Sequence, residues 1–406
     1  MITLIAFIFV FGLLVFVHEL GHFLAAKLFG VEVRTFAFGF PPRLWSKKVG
    51  QTTYAINAIP LGGYVSLRGE DEYDLYNEIA KDLGEKPTEG QYQTALAAAR
   101  AKEHANGGSL LAKKPWQLVT IFISGVIMNI LLAFVLLYVC FMAGFQPIYS
   151  GMWEHPGVVN SLKVVVTEVE KNTPAEKDDI KEGDVIVKVD GKNYYTNSDV
   201  LNVIRSKNTT DGATVQLEVN RDGQLLEKTL ATYKAKVATR GGKEVEVSRV
   251  GINLETKGEI RGNLFSSVGA AASEVIRATK LTFVGVFDLF SGLITKFKLS
   301  DNVTGPVGIV VATNYFASLG FVYLLQFAFI LSVSLAVFNI LPIPGLDGGH
   351  IAIVFVEAIT KREFSTKTKN IIQLIGFGAL ILLMIAVSIK DFINFDIIGY
   401  VRGVFK

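Results

Sequence analysis

The sequence predicts a polytopic α-helical membrane protein with four transmembrane helices, a membrane-associated β-hairpin or small sheet, and one water-soluble α+β module. Three observations predict it. Half of the 406 residues are hydrophobic and only 19% are charged, whereas soluble chains run nearer a quarter charged. The apolar excess is uneven: residues 2–17, 118–145 and 318–346 carry no charge, while 160–262 are richly charged. Short alternating runs punctuated by Gly and Pro are confined to two windows, 31–67 and 160–258. This pattern excludes a fully soluble enzyme and a fully buried transporter bundle. The 29 Phe and 13 Tyr against a net charge of +3 exclude disorder. The balance of 40 basic and 37 acidic residues leaves no nucleic-acid footprint.

A bilayer-spanning helix needs about 20 apolar residues, and four segments supply them: 1–30, 115–146, 318–350 and 371–390. The first is not a signal peptide, because it lacks a basic leader and a small-residue cleavage site and carries His18, Glu19 and His22 where its apolar run should end. Lys27, Arg34, Arg43, Lys47, Lys48, Arg100, Lys102, Lys113 and Lys114 flank the first loop, against only Lys163 and Lys298 for the second. The positive-inside bias therefore predicts cytoplasmic first and third loops and both termini outside the cytoplasm.

Between the spans the pattern changes. Residues 31–67 alternate (Val31-Glu32-Val33-Arg34-Thr35-Phe36, then Thr53-Tyr54-Ala55-Ile56-Asn57), as expected of a hairpin following the first span. Residues 68–114 read as a charged, Ala-rich cytoplasmic insert. In 160–258, runs such as Thr214-Val215-Gln216-Leu217-Glu218-Val219 mark strands, with Asp190-Gly191, Asp211-Gly212 and Asp222-Gly223 as turns. Residues 264–316 hold an apolar stretch interrupted by Glu274, Arg277, Lys280 and Asp288; the expectation is an amphipathic helix at the outer surface.

The chemistry concentrates in the first span. His18-Glu19-Leu20-Gly21-His22 puts two imidazoles one helical turn apart on one face, able to share a metal, with Glu19 beside it to handle a proton. An acid inside a span is expensive and marks function by default. Zinc in a hydrolase needs a third protein ligand and an open position. His104 and His155 fall in aqueous loops, where they read as solvated. Asp347 is the better choice. It lies in Asn339-Ile340-Leu341-Pro342-Ile343-Pro344-Gly345-Leu346-Asp347-Gly348-Gly349-His350, where two prolines and the glycines must break the third span. Irregular backbone at membrane depth lines a cavity or is buried in protein. At 1.5 Å per residue, His18 is about 25 Å and Asn339 about 31 Å along helices running the same way, so the two motifs can meet. His350 is the rival ligand.

His18-Glu19-x-x-His22 with Asn339-x-x-Pro342-x-Pro344-x-Leu346-Asp347-Gly348 resembles the site-2 protease family of intramembrane zinc metalloproteases, the bacterial group containing the regulator of sigma-E protease in particular. Ile59-Pro60-Leu61-Gly62-Gly63-Tyr64-Val65 and Thr304-Gly305-Pro306-Val307-Gly308-Ile309 match as well. Thr173-Pro174-Ala175-Glu176-Lys177 and Lys181-Glu182-Gly183-Asp184-Val185-Ile186 make the module resemble an extracytoplasmic PDZ domain. The second span departs from the family, reading Ser124-Gly125-Val126-Ile127-Met128-Asn129 where Ala-Gly-Pro-x-x-Asn is usual.

The resemblance implies a multi-pass protein of the bacterial inner membrane that cleaves transmembrane segments of pre-trimmed single-pass proteins, with anti-sigma factors or signal-peptide-like segments as the substrate class. In that reading Zn2+ is held by His18, His22 and Asp347, Glu19 is the catalytic acid and base, and Asn339, Pro342 and Pro344 bind the substrate, Asn339 holding its unwound strand. An exposed edge of the 31–67 hairpin is the expected partner for that strand. The competing readings are a metal transporter and an inactive membrane adaptor binding protein tails, both of which should survive Glu19→Gln. The module is expected to act as a size filter over the outer mouth of the site, the rival being capture of a new carboxyl terminus.

Overall fold

The computed structural model describes residues 2–70, 88–149, 155, 157–207, 213–238, 244–296, 304–362, 364 and 366–394. The chain divides into two compact units, one of residues 1–136 and 275–387 and the other of 137–274 and 388–406. Among the described residues, four helices are long and apolar enough to cross a membrane: Thr3–Leu28, Pro115–Ala143, Phe321–Ile340 and Ile371–Phe392.

In the first unit, α1 (Ile2–Leu28) leads into two long strands, β1 (Val33–Val49) and β2 (Thr52–Leu67), that pair antiparallel. The pairing is more than a hairpin. Residues 35–38 pair with 63–66 on one side and with 53–56 on the other, and 53–57 also pair with 43–48. Segment 52–57 is therefore interior to the sheet, and the outer edges are 43–49 and 63–67. The exposed edge expected of the 31–67 hairpin therefore falls at 43–49 or 63–67 and not at 52–57: bulged, Gly-punctuated strands bend back on themselves, which alternation alone does not reveal.

Of the insert, 71–87 lie outside the described residues, and Glu89–Asn106 form α2. The Thr88 N–H donates to Gln91 Oε1 at 3.0 Å, capping its start. Beyond it, Lys113 donates to the Phe29 carbonyl at 2.7 Å and the Gly107 carbonyl at 2.6 Å, and Arg68 pairs with Glu32 at 2.9 Å. These contacts stitch the insert's end to the end of α1 and the sheet around a core of Ala26, Val31, Val33, Leu67, Leu110 and Ile121.

α3 (Pro115–Ala143) follows, and the later helices of this unit are α7 (Pro306–Leu319), α8 (Phe321–Ile340), α9 (Asp347–Thr360) and α10 (Thr366–Asn394). The sequence stretch 318–350 is thus one span, α8, then a bend at 341–346, then a new helix opening at Asp347. Between them runs α6 (Ser266–Lys296), 31 residues along the stretch expected to be amphipathic.

The second unit contains the soluble module. Its strands are β3 (Val158–Asn160), β4 (Lys163–Val169), β5 (Val185–Val189), β6 (Lys192–Asn193), β7 (Thr214–Arg221), β8 (Gln224–Ala231), β9 (Tyr233–Ala238), β10 (Glu244–Arg249), β11 (Ile252–Lys257) and β12 (Ile260–Gly262). The main sheet runs β11-β4-β5-β7-β8, antiparallel throughout, with β6 on β5. The short α4 (Pro174–Lys177) and α5 (Asn197–Ser206) complete it. Val215, Leu217 and Val219 point into its core as their alternation requires. Asp190-Gly191 and Asp222-Gly223 both take positive φ, at 50° and 77°, and 50° and 89°, as two-residue hairpin turns demand; Asp211-Gly212 lies outside the described residues.

Asp184 is buried, and Arg221 clasps it from Nε at 2.7 Å and Nη2 at 2.8 Å while the Lys181 N–H adds a third bond at 2.9 Å. Burial pushes this carboxyl up, and the guanidinium and N–H outweigh it, holding it below the usual carboxylate range.

His155 corrects its solvated reading. Its Nε2 lies 2.9 Å from Glu274 Oε1 and its Nδ1 3.1 Å from Ser273 Oγ. Glu274, only 1% exposed, also accepts from the Tyr149 hydroxyl at 2.7 Å. A buried carboxylate needs such partners, so the first turns of α6 recruit the histidine.

Candidate active site

α1 presents His18 and His22 on one face, both buried, with their Nε2 atoms 3.2 Å apart. Asp347 Oδ2 lies 3.2 Å from His18 Nε2 and 3.4 Å from His22 Nε2. The three residues come together from opposite ends of the chain because the bend at 341–346 turns α9 back to the α1 face. That bend is closely fitted. A Cβ at Gly348 would stand 2.1 Å from the Leu341 carbonyl oxygen, and one at Gly376 of α10 would stand 2.1 Å from the Pro344 carbonyl oxygen. The Gly345 N–H, at φ 94°, donates to Gln373 Oε1 of α10.

The donor set suits zinc. His22 Nδ1 lies 2.8 Å from the Ile121 carbonyl oxygen, which only accepts, so the ring carries its proton there and leaves the Nε2 lone pair facing inward. Asp347 Oδ2 is buried without a hydrogen-bond donor, the state of a carboxylate oxygen made for a cation. Nitrogen and oxygen ligands at about 2.0–2.1 Å from a tetrahedral zinc stand about 3.3 Å from one another, and the triangle observed has edges of 3.2, 3.2 and 3.4 Å. Among the described residues this is the cluster of His, Cys, Asp or Glu that could hold a metal.

Glu19 points into a cavity of about 140 Å³ bordered by the triad, Tyr64, Val65, Glu70, Phe122 and His350. Val65 borders the same cavity, and Gly63 sits against Glu19: a Cβ there would lie 3.3 Å from Glu19 Cγ. The edge 63–67 therefore runs beside the catalytic candidates, whereas 52–57 does not. Asn339 at the end of α8 brings Nδ2 to 3.4 Å from His18 Nε2. Pro342 is exposed on the bend and Pro344 is half-buried against α10; neither borders the cavity. His350 stacks on Phe122 at 4.8 Å and 15° and stands outside the ligand triangle. The side chain of His104 lies outside the described residues.

Sequence reasoning gave no role to Asn129, whose Nδ2 is 3.1 Å from His18 Nδ1, or to the Ile121 carbonyl. The available signal for the first was a fully polar amide in a charge-free span, one turn after a glycine.

The model of peptidase family M50 matches residues 6–383. A protein of Agrobacterium fabrum named as a zinc metalloprotease, Atu1380, is 30% identical over 391 residues, covering 96% of this chain and 95% of the relative. The regulator of sigma-W protease RasP of Bacillus subtilis is 28% identical over 440 residues, covering 96% and 98%. Among solved structures, the PDZ domain of an SdrC-like protein from Listeria monocytogenes covers 27% of this chain and 93% of its own, at 21% identity and a TM-score of 0.19. With the family model matching nearly its whole length, the chain belongs to peptidase family M50 and is a zinc metalloprotease.

Proposed function

We propose that this protease cleaves peptide bonds within transmembrane segments of single-pass proteins in the bacterial inner membrane, after another protease has trimmed them. The observation that carries the reading is Glu19 beside three converging ligand atoms, in a span whose other charged side chain is Lys27 in the last turn. His18, His22 and Asp347 would hold zinc, which supplies the Lewis acidity that makes water nucleophilic near neutral pH. Glu19, on the same cavity, would accept a proton from the attacking water and return it to the leaving amine. A helical substrate shields its own carbonyls, so the segment must unwind. The edge 63–67, which borders the cavity beside Glu19 through Tyr64, Val65 and Leu67, offers main-chain pairing to an extended strand, and the Asn339 amide steadies that strand near the triad. The name of the Bacillus relative, a regulator of sigma-W protease, supports anti-sigma factors as one substrate class. The charge bias of the loops supports both termini lying outside the cytoplasm.

The test reconstitutes the full chain in liposomes with a single-pass substrate lacking its outer domain. Wild type should release fragments cut within the membrane segment. Glu19→Gln should keep zinc and lose cleavage by at least about a hundredfold. Unchanged cleavage with Glu19→Gln overturns the mechanism, and substrate binding without any cleavage favours the adaptor.

A further inference from the structure

The motif Ser124-Gly125-x-x-x-Asn129 in α3 has no part in the chemistry above, yet it touches both histidines. Asn129 is fully buried, and its backbone carbonyl accepts from the Ser332 hydroxyl of α8 at 2.7 Å. Its amide faces His18 Nδ1 at 3.1 Å. If the amide nitrogen donates there, the His18 proton must sit on Nε2, the atom aimed at Asp347 and His22, and the amide oxygen stays buried without a donor. Exchanging the two amide atoms, which have nearly the same shape, reverses this. The oxygen then accepts from Nδ1–H, and Nε2 turns its lone pair to the shared point. His22 already has the matching arrangement through the Ile121 carbonyl at 2.8 Å.

The helix contact that permits both anchors is equally specific. A Cβ at Gly125 would stand 2.4 Å from His22 Nε2 and 2.6 Å from His18 Cε1, and a Cβ at Gly21 would stand 2.5 Å from the Ser124 carbonyl oxygen. α3 is thus pressed against the ligand face of α1, with a buried amide placed where a ring nitrogen needs an acceptor.

We propose that Asn129 is a positioning residue: its side-chain oxygen fixes His18 in the Nδ1–H tautomer and aims Nε2 at the metal. The inference rests on the zinc-site reading and is tested beside it, with the full chain in detergent. Zinc affinity by chelator competition, and the visible absorption of the cobalt(II)-substituted protein, are read for wild type, Asp347→Ala, Asn129→Leu and Asn129→Asp. Asn129→Leu, similar in size but without an acceptor, should weaken zinc about 10–100-fold and shift the cobalt bands. Asn129→Asp keeps an acceptor oxygen and should restore affinity to within a few-fold and restore the bands. A purely structural role for Asn129 would not be rescued by Asp. Zinc affinity and cobalt bands unchanged in Asn129→Leu overturn the proposal while Asp347→Ala still loses metal; undiminished zinc in Asp347→Ala overturns the site reading and the proposal with it. Should Asn129→Leu fail to fold, nitrogen-15 spectra of histidine-labelled, metal-free wild type decide the matter. The ring signal absent from His18→Gln should show the Nδ1–H tautomer, and an Nε2–H tautomer overturns the inference.

Discussion

A single hydrogen atom is the largest group position 125 tolerates, because imidazole atoms occupy the space a methyl would need. Gly125→Ala should push the His rings off their common point and cut both zinc content and cleavage at least about tenfold, with the protein still in the membrane. Gly269→Ala, on α6 with open space around it, is the matched control and should leave both unchanged. At the same scale, Asp347→Ala should abolish stoichiometric zinc while Glu19→Gln retains it; metal analysis of the purified variants separates ligand from proton carrier. His18, Glu19 and His22 were legible because helical spacing alone puts them side by side, and Asp347 because prolines and glycines announce a break. The anchors on their Nδ1 atoms were not legible. They come from Ile121 and Asn129, about a hundred residues away, through a helix crossing that no local pattern encodes.

At the scale of elements, the sheet of β1 and β2 teaches the limit of alternation. The runs around Thr35 and Thr53 identify strands, but which faces a neighbour on both sides depends on how the strands double back. A photoreactive residue at Tyr64 should crosslink to bound substrate; one at Lys47, on the opposite edge, should not. Crosslinking in the reverse pattern would reject 63–67 as the pairing edge. In the module, Asp184 titrates below its unfolded range of about 3.9. Its stabilisation is therefore complete above about pH 4 and is lost as pH falls through the folded value. Proteolysis between residues 158 and 262 of the full chain should accelerate below about pH 4. Asp184→Ala should cost about 2 kcal/mol near neutrality, since it leaves Arg221 without its main partner.

For the molecule as a whole, sequence order strings the module between α3 and α6, and the reading as a size filter rests on that order. One feature favours its rival: Arg205 of α5 lines a groove with Leu201, Ile204 and the Val250–Leu254 stretch, a basic group the sequence did not reveal there. Two others favour the filter. Arg249 is committed to Glu170 at 2.5 Å, and the Asn197 amide bonds the Leu254 carbonyl at 3.1 Å across the groove's far end. Replacing 158–262 by a Gly/Ser linker should allow cleavage of untrimmed substrate and leave trimmed substrate undiminished. Arg205→Gln should not slow trimmed-substrate cleavage; a loss in either variant, with zinc retained, would establish capture.

The seating of Gly376 and Gln373 against the Pro344–Gly345 bend also has a consequence in time. The bend that delivers Asp347 is clasped by α10, whose Gln373 and Gly376 are synthesised about 360 residues after His18. At about 5–20 residues per second, tens of seconds separate the two events. A nascent chain that ends before Gln373 carries the histidines, the glutamate and Asp347, yet lacks the helix that clasps the bend from outside. Seating α10 against the bend thus completes the site, and a chain ended before Gln373 should bind zinc more weakly than one that includes α10.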